Sequence, residues 1–449
     1  MALERIAQWK KEIRVLDGGF GSECEKWSRL PIDGHKAWSS RLLKDDPNLV
    51  CEIHKSFLRS GCDVISTNTY QVSPGTLSEA LNVSLAEAKE LMRHAVRLAR
   101  RAVDAVLEEE HRNASAYNRK LPILIAGSLG SYGACLADGS EYSGEYGKTM
   151  EFTELVEFHQ ARAELLLEAG VDLLAWETIP LRFEVAAICE VMRRLPNAVG
   201  WVSIISLDGQ TSAGGDPLHE IALEVDKCDR IFAIGVNCSI PHQLIPQALA
   251  NLSGIYDSCE PGTEEGFHPP PCEKRPGCHS NGPDALHDRK ILLLYANSGE
   301  RWVTVKSKRS RFRGYWVWPP KTGPKLWARV MSRFAMRRGL DVPPLPSDFV
   351  IRIHTKKDGT SPVKAQWVGG CCRVGPEQVA QLAEWMKPDE VFRSESISES
   401  SQYMFTLGSS RLDQTKVLGS DCSRRRRATI ANCGDHIKKL RRSFARKTL

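Results

Sequence analysis

No run of eighteen or more apolar residues occurs in this 449-residue chain, which excludes a conventional membrane-spanning helix. The opening stretch MALERIAQWKKEIRVLDGG lacks an apolar segment behind its charges, so no secretory signal is visible and a cytoplasmic protein without membrane association is expected. Disulfides are scarce in such a reducing compartment, and the fourteen cysteines are read as buried thiols, metal ligands or nucleophiles rather than as a covalent framework. Acids are absent from 301 to 340, where twelve Lys and Arg fall, and nearly absent from 424 to 449, where ten Lys and Arg meet only Asp435. Setting aside these two segments, net +12 and +9, turns a formal charge of +6 into about −15 for the remainder. The body of the chain is therefore acidic and gives no argument for nucleic-acid binding. Only the tail, with Arg424 to Arg427, Lys438, Lys439, Arg441 and Arg442, has the composition of a nuclear-import or nucleic-acid element, and a solvated, disordered tail is the commoner outcome.

What is present is a repeated alternation. Eight short runs rich in apolar and β-branched residues recur: IRVLDGG from Ile13, DVISTNT from Asp63, ILIAGSLG from Ile123, DLLAWET from Asp172, GWVSIIS from Gly200, FAIGVNC from Phe232, ILLLYANS from Ile291 and QWVGGCC from Gln366. Helical stretches follow most of them: Leu49 to Ser60 stopping at Gly61, Leu77 to Glu110, Phe152 to Ala169 stopping at Gly170, and a last helix from Pro376 to Met386. Eight βα units predict an α/β fold, a (β/α)8 TIM barrel, and a barrel of about 250 residues leaves room for additions. The barrel is expected over 1–387, with irregular insertions at about 258–288 and 303–364 and a basic low-complexity tail over 388–449. No pattern specifies an oligomeric state.

Chemistry-bearing residues cluster at the C-terminal ends of the runs, the rim from which a barrel builds its site. Cys238 ends the sixth run and Cys371 and Cys372 end the eighth, where Gly369 and Gly370 permit a bend. Three thiolates and one open position describe a catalytic Zn2+ site, because structural zinc is closed by four protein ligands. A free thiol has a pKa of roughly 8.5, and zinc coordination removes its proton, so the open position suits a thiol substrate that becomes a nucleophile. Asp17 and Glu177 suit the ammonium of an amino acid, and the backbone near Gly18 and Gly19 its carboxylate. Thr67 and Asn68 are further substrate-binding candidates, with a role as hydrogen-bonding rim residues as the alternative. A sulfonium donor would favour an acidic, aromatic mouth, for which Trp38, Tyr70 and Tyr142 are candidates.

These stretches resemble the homocysteine S-methyltransferase family. VLDGGFGSE, FLRSGCDVISTNTYQ, GSLGSYGACLADGSEYSG, LLEAGVDLLAWETIP, GVNC, YANSGE and GGCCR occur in the family's order, nearly continuously from Leu16 to Pro246 and again around Leu292 to Trp302 and Val368 to Met386. The resemblance implies Cys238, Cys371 and Cys372 as zinc ligands, Asp17 and Glu177 as homocysteine ligands, and homocysteine with a methyl donor as small-molecule substrates. DGSEYSG is more similar to the S-methylmethionine-using branch than to the betaine-using one. The basic segment 303–364 and the swollen loop after GVNC depart from the family pattern.

Each signal has a plainer reading. Cys24, Cys51, Cys62, Cys135 and Cys189 are expected to be small buried side chains. Asp17 beside two glycines could simply make a turn. Cys259, His268, Cys272, Cys278 and His279 could form a second zinc site, but irregular spacing and proline content favour a solvated loop. A betaine-type methyltransferase, or methyl transfer to selenocysteine, is an alternative. So is an inactive barrel serving as a binding module, if the insertion before Gly369 displaces the eighth strand.

Overall fold

The computed structural model describes residues 2–113, 118–253, 290–304, 314–317, 323–335 and 363–390. The cluster Cys259 to His279 and the basic tail beyond 390 lie outside them. Ten strands are described: β1 Arg14–Val15, β2 Val64–Ser66, β3 Leu124–Gly130, β4 Leu173–Ile179, β5 Gly200–Ile204, β6 Ile231–Cys238, β7 Ile291–Ala296, β8 Arg301–Thr304, β9 Gly314–Val317 and β10 Trp367–Gly370. β8 and β9 form a separate antiparallel hairpin, and the other eight make one parallel sheet in the order β1-β10-β7-β6-β5-β4-β3-β2.

The sheet closes between β1 and β2 through a parallel bridge from Leu16 to Val64, with Asp63 N donating to Val15 O (2.7 Å) and Asp17 N to Val64 O (3.0 Å). The result is the expected (β/α)8 barrel. β10 sits in the eighth position, pairing Trp367 to Gly370 with Leu293 to Ala296 of β7 and Trp367 and Val368 with Arg14 and Val15 of β1. The residues preceding Gly369 thus leave the eighth strand in register.

Every one of the eight barrel strands is followed by at least one helix. Pro47–Arg59 is capped by the Asp46 carboxylate, which accepts from Leu49 N. The expected single helix from Leu77 to Glu110 is two, Pro74–Leu81 and Leu85–Arg112. The break is local: Asn82 adopts a left-handed conformation, and Ser73 with Thr76 and Ser84 with Glu87 form capping boxes. Inside 303–364 lies a helix that composition concealed, Pro324–Phe334, with Trp327, Val330, Met331 and Phe334 buried at helical spacing. It occupies the seventh helical position.

The lower end of the barrel is plugged by the helix Ala2–Trp9, whose Ile6 and Trp9 join the interior cluster. Trp9 meets Phe232 (ring centroids 5.5 Å) and Trp367 (6.3 Å), and Trp367 meets Trp201 (6.0 Å), so an aromatic column runs from the plug to the floor of the cavity described below. A fully buried Lys387 locks the last helix to the start of β2, donating to Gly61 O (2.9 Å) and Asp63 Oδ1 (2.7 Å) beside Glu390 (3.2 Å). Removing one partner of a buried ion pair typically costs about 3–5 kcal/mol because the other charge is stranded. Lys387→Ala is therefore expected to lower the unfolding free energy by about that amount, read from the urea midpoint; a midpoint equal to wild type would refute this assignment. No helix among the described residues is long and apolar enough to cross a membrane.

Candidate metal and substrate site

The C-terminal rim holds a cavity of about 400 Å³. β6 delivers Cys238 to it with a backbone turned left-handed (φ 58°), and the neighbouring rim residue Thr178 is similarly strained (φ 59°). For a β-branched residue that conformation is rare and costs on the order of 1–3 kcal/mol. Asn237 holds it, accepting from Thr178 N (3.0 Å) and donating to Thr178 Oγ1 (2.8 Å). Nothing in the sequence pattern marked Asn237 for this; only its position before Cys238 at a strand end could have suggested it.

On the opposite side, Cys371 and Cys372 follow β10. The turn that presents them lies at Arg373 (φ 67°), not at the glycine pair. The glycines serve close packing instead: a Cβ on Gly370 would meet Val374 at 2.1 Å. The segment after β7 ties both edges together, with Asn297 N donating to Cys238 O (3.1 Å), Cys371 N to Ala296 O (3.0 Å) and Ser298 N to Cys372 O (3.1 Å).

The three sulfurs converge. Cys238 Sγ lies 2.9 Å from Cys371 Sγ and 3.9 Å from Cys372 Sγ, and all three fall within 4.8 Å of one another. A tetrahedron built on zinc–sulfur bonds of about 2.3 Å has edges of about 3.8 Å, so the trio fits three corners with a modest spreading of the closest pair. Hydrogen bonds from Cys238 and Cys371 hold Cys372 well below the usual thiol range, whereas Cys238 and Cys371 are pushed well above it. All three could be ionised together only with a cation between them. Among the described residues this is the one such group of potential ligands.

Asp17 and Glu177 reach the same cavity from β1 and β4. Burial pushes the Asp17 carboxyl up to about 8, against the Ser66 N–H that donates to Oδ2 (2.7 Å) and with the nearby Glu177 adding to the rise. Burial likewise lifts Glu177 to about 7, opposed by the Ser128 hydroxyl that donates to Oε1. Two buried acids of this kind are ready to ionise against an incoming ammonium.

Gly18, Gly19, Thr67 and Asn68 line the cavity too, but their groups are largely spoken for. Gly19 N donates to Val374 O (2.8 Å), so that N–H is turned away from a substrate carboxylate, and a Cβ there would meet Cys371 O at 2.5 Å. Thr67 Oγ1 accepts from Ser128 N (3.0 Å). Asn68 is engaged by Ser39 at both ends of its amide, accepting from the hydroxyl (2.7 Å) and donating to the carbonyl (2.9 Å). Trp38, Tyr70 and Tyr142 all line the cavity, and Trp38 Nε1 donates to Glu25 Oε1 (2.8 Å). A further acid on the wall, Glu141, had no place in the sequence-based site. Cys24, Cys51, Cys62, Cys135 and Cys189 are buried free thiols, as expected.

A family model for homocysteine S-methyltransferase matches residues 14–386, from the first barrel strand to the end of the last helix. The chain belongs to the homocysteine S-methyltransferase family. Its relatives include maize homocysteine S-methyltransferase 4, 32% identical over 382 residues, covering 84% of this chain and 90% of that protein. The Drosophila melanogaster betaine-homocysteine S-methyltransferase is 39% identical over 256 residues, 55% of this chain and 76% of its own. The crystal structure of the homocysteine methyltransferase MmuM from Escherichia coli in its metallated form superposes with a TM-score of 0.59 at 26% identity, over 85% of this chain and 98% of that one. All three cysteines, Cys238 at the end of β6 and Cys371 and Cys372 just after β10, lie inside the matched range.

Proposed function

We propose that this chain methylates the sulfur of homocysteine, with S-methylmethionine, or S-adenosylmethionine, as donor and methionine as product. The observation that carries the reading is the meeting, in one cavity, of three sulfurs from two strand ends with two buried carboxyl groups. Cys238, Cys371 and Cys372 would hold a zinc ion, which would supply there the Lewis acidity to ionise a thiol near neutral pH.

The chain's own residues do the rest. Asp17 and Glu177 receive the substrate ammonium, and Trp201 and Tyr295 form an apolar floor that excludes water; Trp201 Nε1 is bound to the Tyr295 hydroxyl (3.2 Å) and so is kept from competing for substrate. Fixing the sulfur against the donor methyl converts a bimolecular encounter into a unimolecular one. The homocysteine sulfur forms a bond to the methyl carbon, the bond from that carbon to the donor sulfonium breaks, and its electron pair returns to the donor sulfur. The thiol proton goes to solvent. The donor loop 138–144 stands on the cavity wall through Glu141 and Tyr142, which favours a sulfonium amino acid. A reducing, cytoplasmic setting suits a protein whose nine described cysteines are all free.

Purified zinc-replete protein incubated with homocysteine and, separately, S-methylmethionine, S-adenosylmethionine or betaine is expected to form methionine with a sulfonium donor. Absence of methionine with every donor would discard the reading.

A further inference from the structure

We propose that Glu141 selects the methyl donor by accepting the ammonium group of a methylsulfonium amino acid, an inference that rests on the methyl-transfer reading above. Glu141 lies in the short turn Ser140–Tyr142, outside the barrel wall, yet lines the same cavity as the three cysteines. The turn is pinned: Tyr142 N donates to Gly139 O (3.0 Å), Gly144 N to Ser140 O (2.8 Å) and Ser140 Oγ to Gly133 O (3.4 Å).

Glu141 Oε2 is buried and has no hydrogen-bond partner among the described residues. A buried acceptor left unsatisfied costs the fold free energy, and more when it is charged, so its retention on a cavity wall points to a ligand that completes it. Burial raises the carboxyl above the usual range, and the proximity of Asp138 and Cys372 adds to the rise. A cation laid against Oε2 removes both penalties.

The rest of the wall indicates which cation. Asp17 and Glu177 face the acceptor amino acid. Lys36, the ammonium group on the lining, is exposed and paired with Glu79 at 2.6 Å. A donor such as betaine, whose one ionic group besides the onium centre is a carboxylate, would bring that carboxylate into an acidic cavity. A methylsulfonium amino acid carries an ammonium as well, which Glu141 complements, while Tyr70 and Tyr142 on the same lining offer aromatic faces to the sulfonium.

The test uses the full-length, zinc-replete protein and three donors: S-methylmethionine, its deaminated counterpart 4-(dimethylsulfonio)butanoate, and betaine. Wild type is expected to prefer S-methylmethionine over the deaminated compound by at least about tenfold in kcat/KM, since a charge-assisted hydrogen bond is lost. Glu141→Gln is expected to raise the KM for S-methylmethionine by about 10–100-fold while leaving the KM for homocysteine and for the deaminated donor within about twofold. Calorimetric titration with S-methylmethionine should show the same weakening without turnover. Equal use of the two sulfonium donors by wild type overturns the proposal, and so does an unchanged KM in Glu141→Gln or a parallel rise for donor and homocysteine. The wild-type comparison decides even if the variant does not fold. Preference for betaine removes the role of Glu141 but leaves homocysteine methylation standing, whereas failure of all donors removes both.

Discussion

Replacing Cys372 with alanine is expected to reduce the zinc content of the purified full-length protein from about one ion per chain to nearly none, and methyl transfer with it. The three sulfurs form the one candidate metal-ligand trio among the described residues. Loss of a residue that merely orients a ligand weakens metal affinity by about 10–100-fold, so loss of a ligand should exceed that range. Cys189→Ala supplies the control, because Cys189 is buried on the helix Arg182–Arg194, away from the cavity, with its thiol turned to Glu224 O (3.7 Å). Zinc measured by atomic emission should be near wild type in Cys189→Ala and absent in Cys372→Ala. Equal zinc in both would end the three-sulfur assignment.

The second large effect concerns the buried acids. Asp17→Asn and Glu177→Gln are each expected to raise the homocysteine KM by about 10–100-fold, the cost of losing a charge-assisted contact in a buried site. The two carboxyls also make binding depend on pH. In the free protein, Asp17 ionises at about 8 and Glu177 at about 7, both above their ordinary values. A carboxyl with a raised native pKa stabilises the fold fully below its unfolded value and loses that contribution as pH rises through 7 and 8. An ammonium ligand binds the ionised form, so its affinity should increase over the same interval and binding should release protons. 2-Aminobutyrate, which lacks the thiol, isolates these protons from that of the sulfur. Calorimetry in buffers of different ionisation enthalpy is expected to show proton release for wild type near pH 7 and less for Asp17→Asn. Affinity that stays flat from pH 6 to 8 would contradict the assignment.

Much of this fold could be read from the chain because a parallel barrel strand is buried on both sides and writes itself as an apolar run. The helix Pro376–Met386 was legible at both ends because proline at its first position and the periodicity that follows leave little choice. The break at Asn82 was not, since apolar spacing continues across it and only the capping chemistry stops the helix. Pro324–Phe334 was hidden by its arginines and tryptophans, although the 327, 330, 331, 334 spacing carried the signal.

The site divides in the same way. Cys238, Cys371, Cys372, Asp17 and Glu177 stand at strand ends, so the rim rule alone brings them together. Glu141 and the Asn237 clamp on Thr178 depend on how a loop folds back and on a strained backbone, which no spacing encodes. The Gly19 N–H was offered to a substrate on sequence grounds and proved to belong to Val374, because the closing turn packs directly on β1.

Closure of the barrel by β10 has a consequence for biosynthesis. Two of the three sulfurs reside immediately after that strand, so a nascent chain emerging from the ribosome presents a single cysteine of the trio until residue 371 has been made. If the trio holds a metal ion as proposed, ion capture and ring completion would be one event: the final strand would carry two of the three ligands into place as it slots between its two neighbours, and a chain cut before it would keep seven barrel strands and one of the three sulfurs.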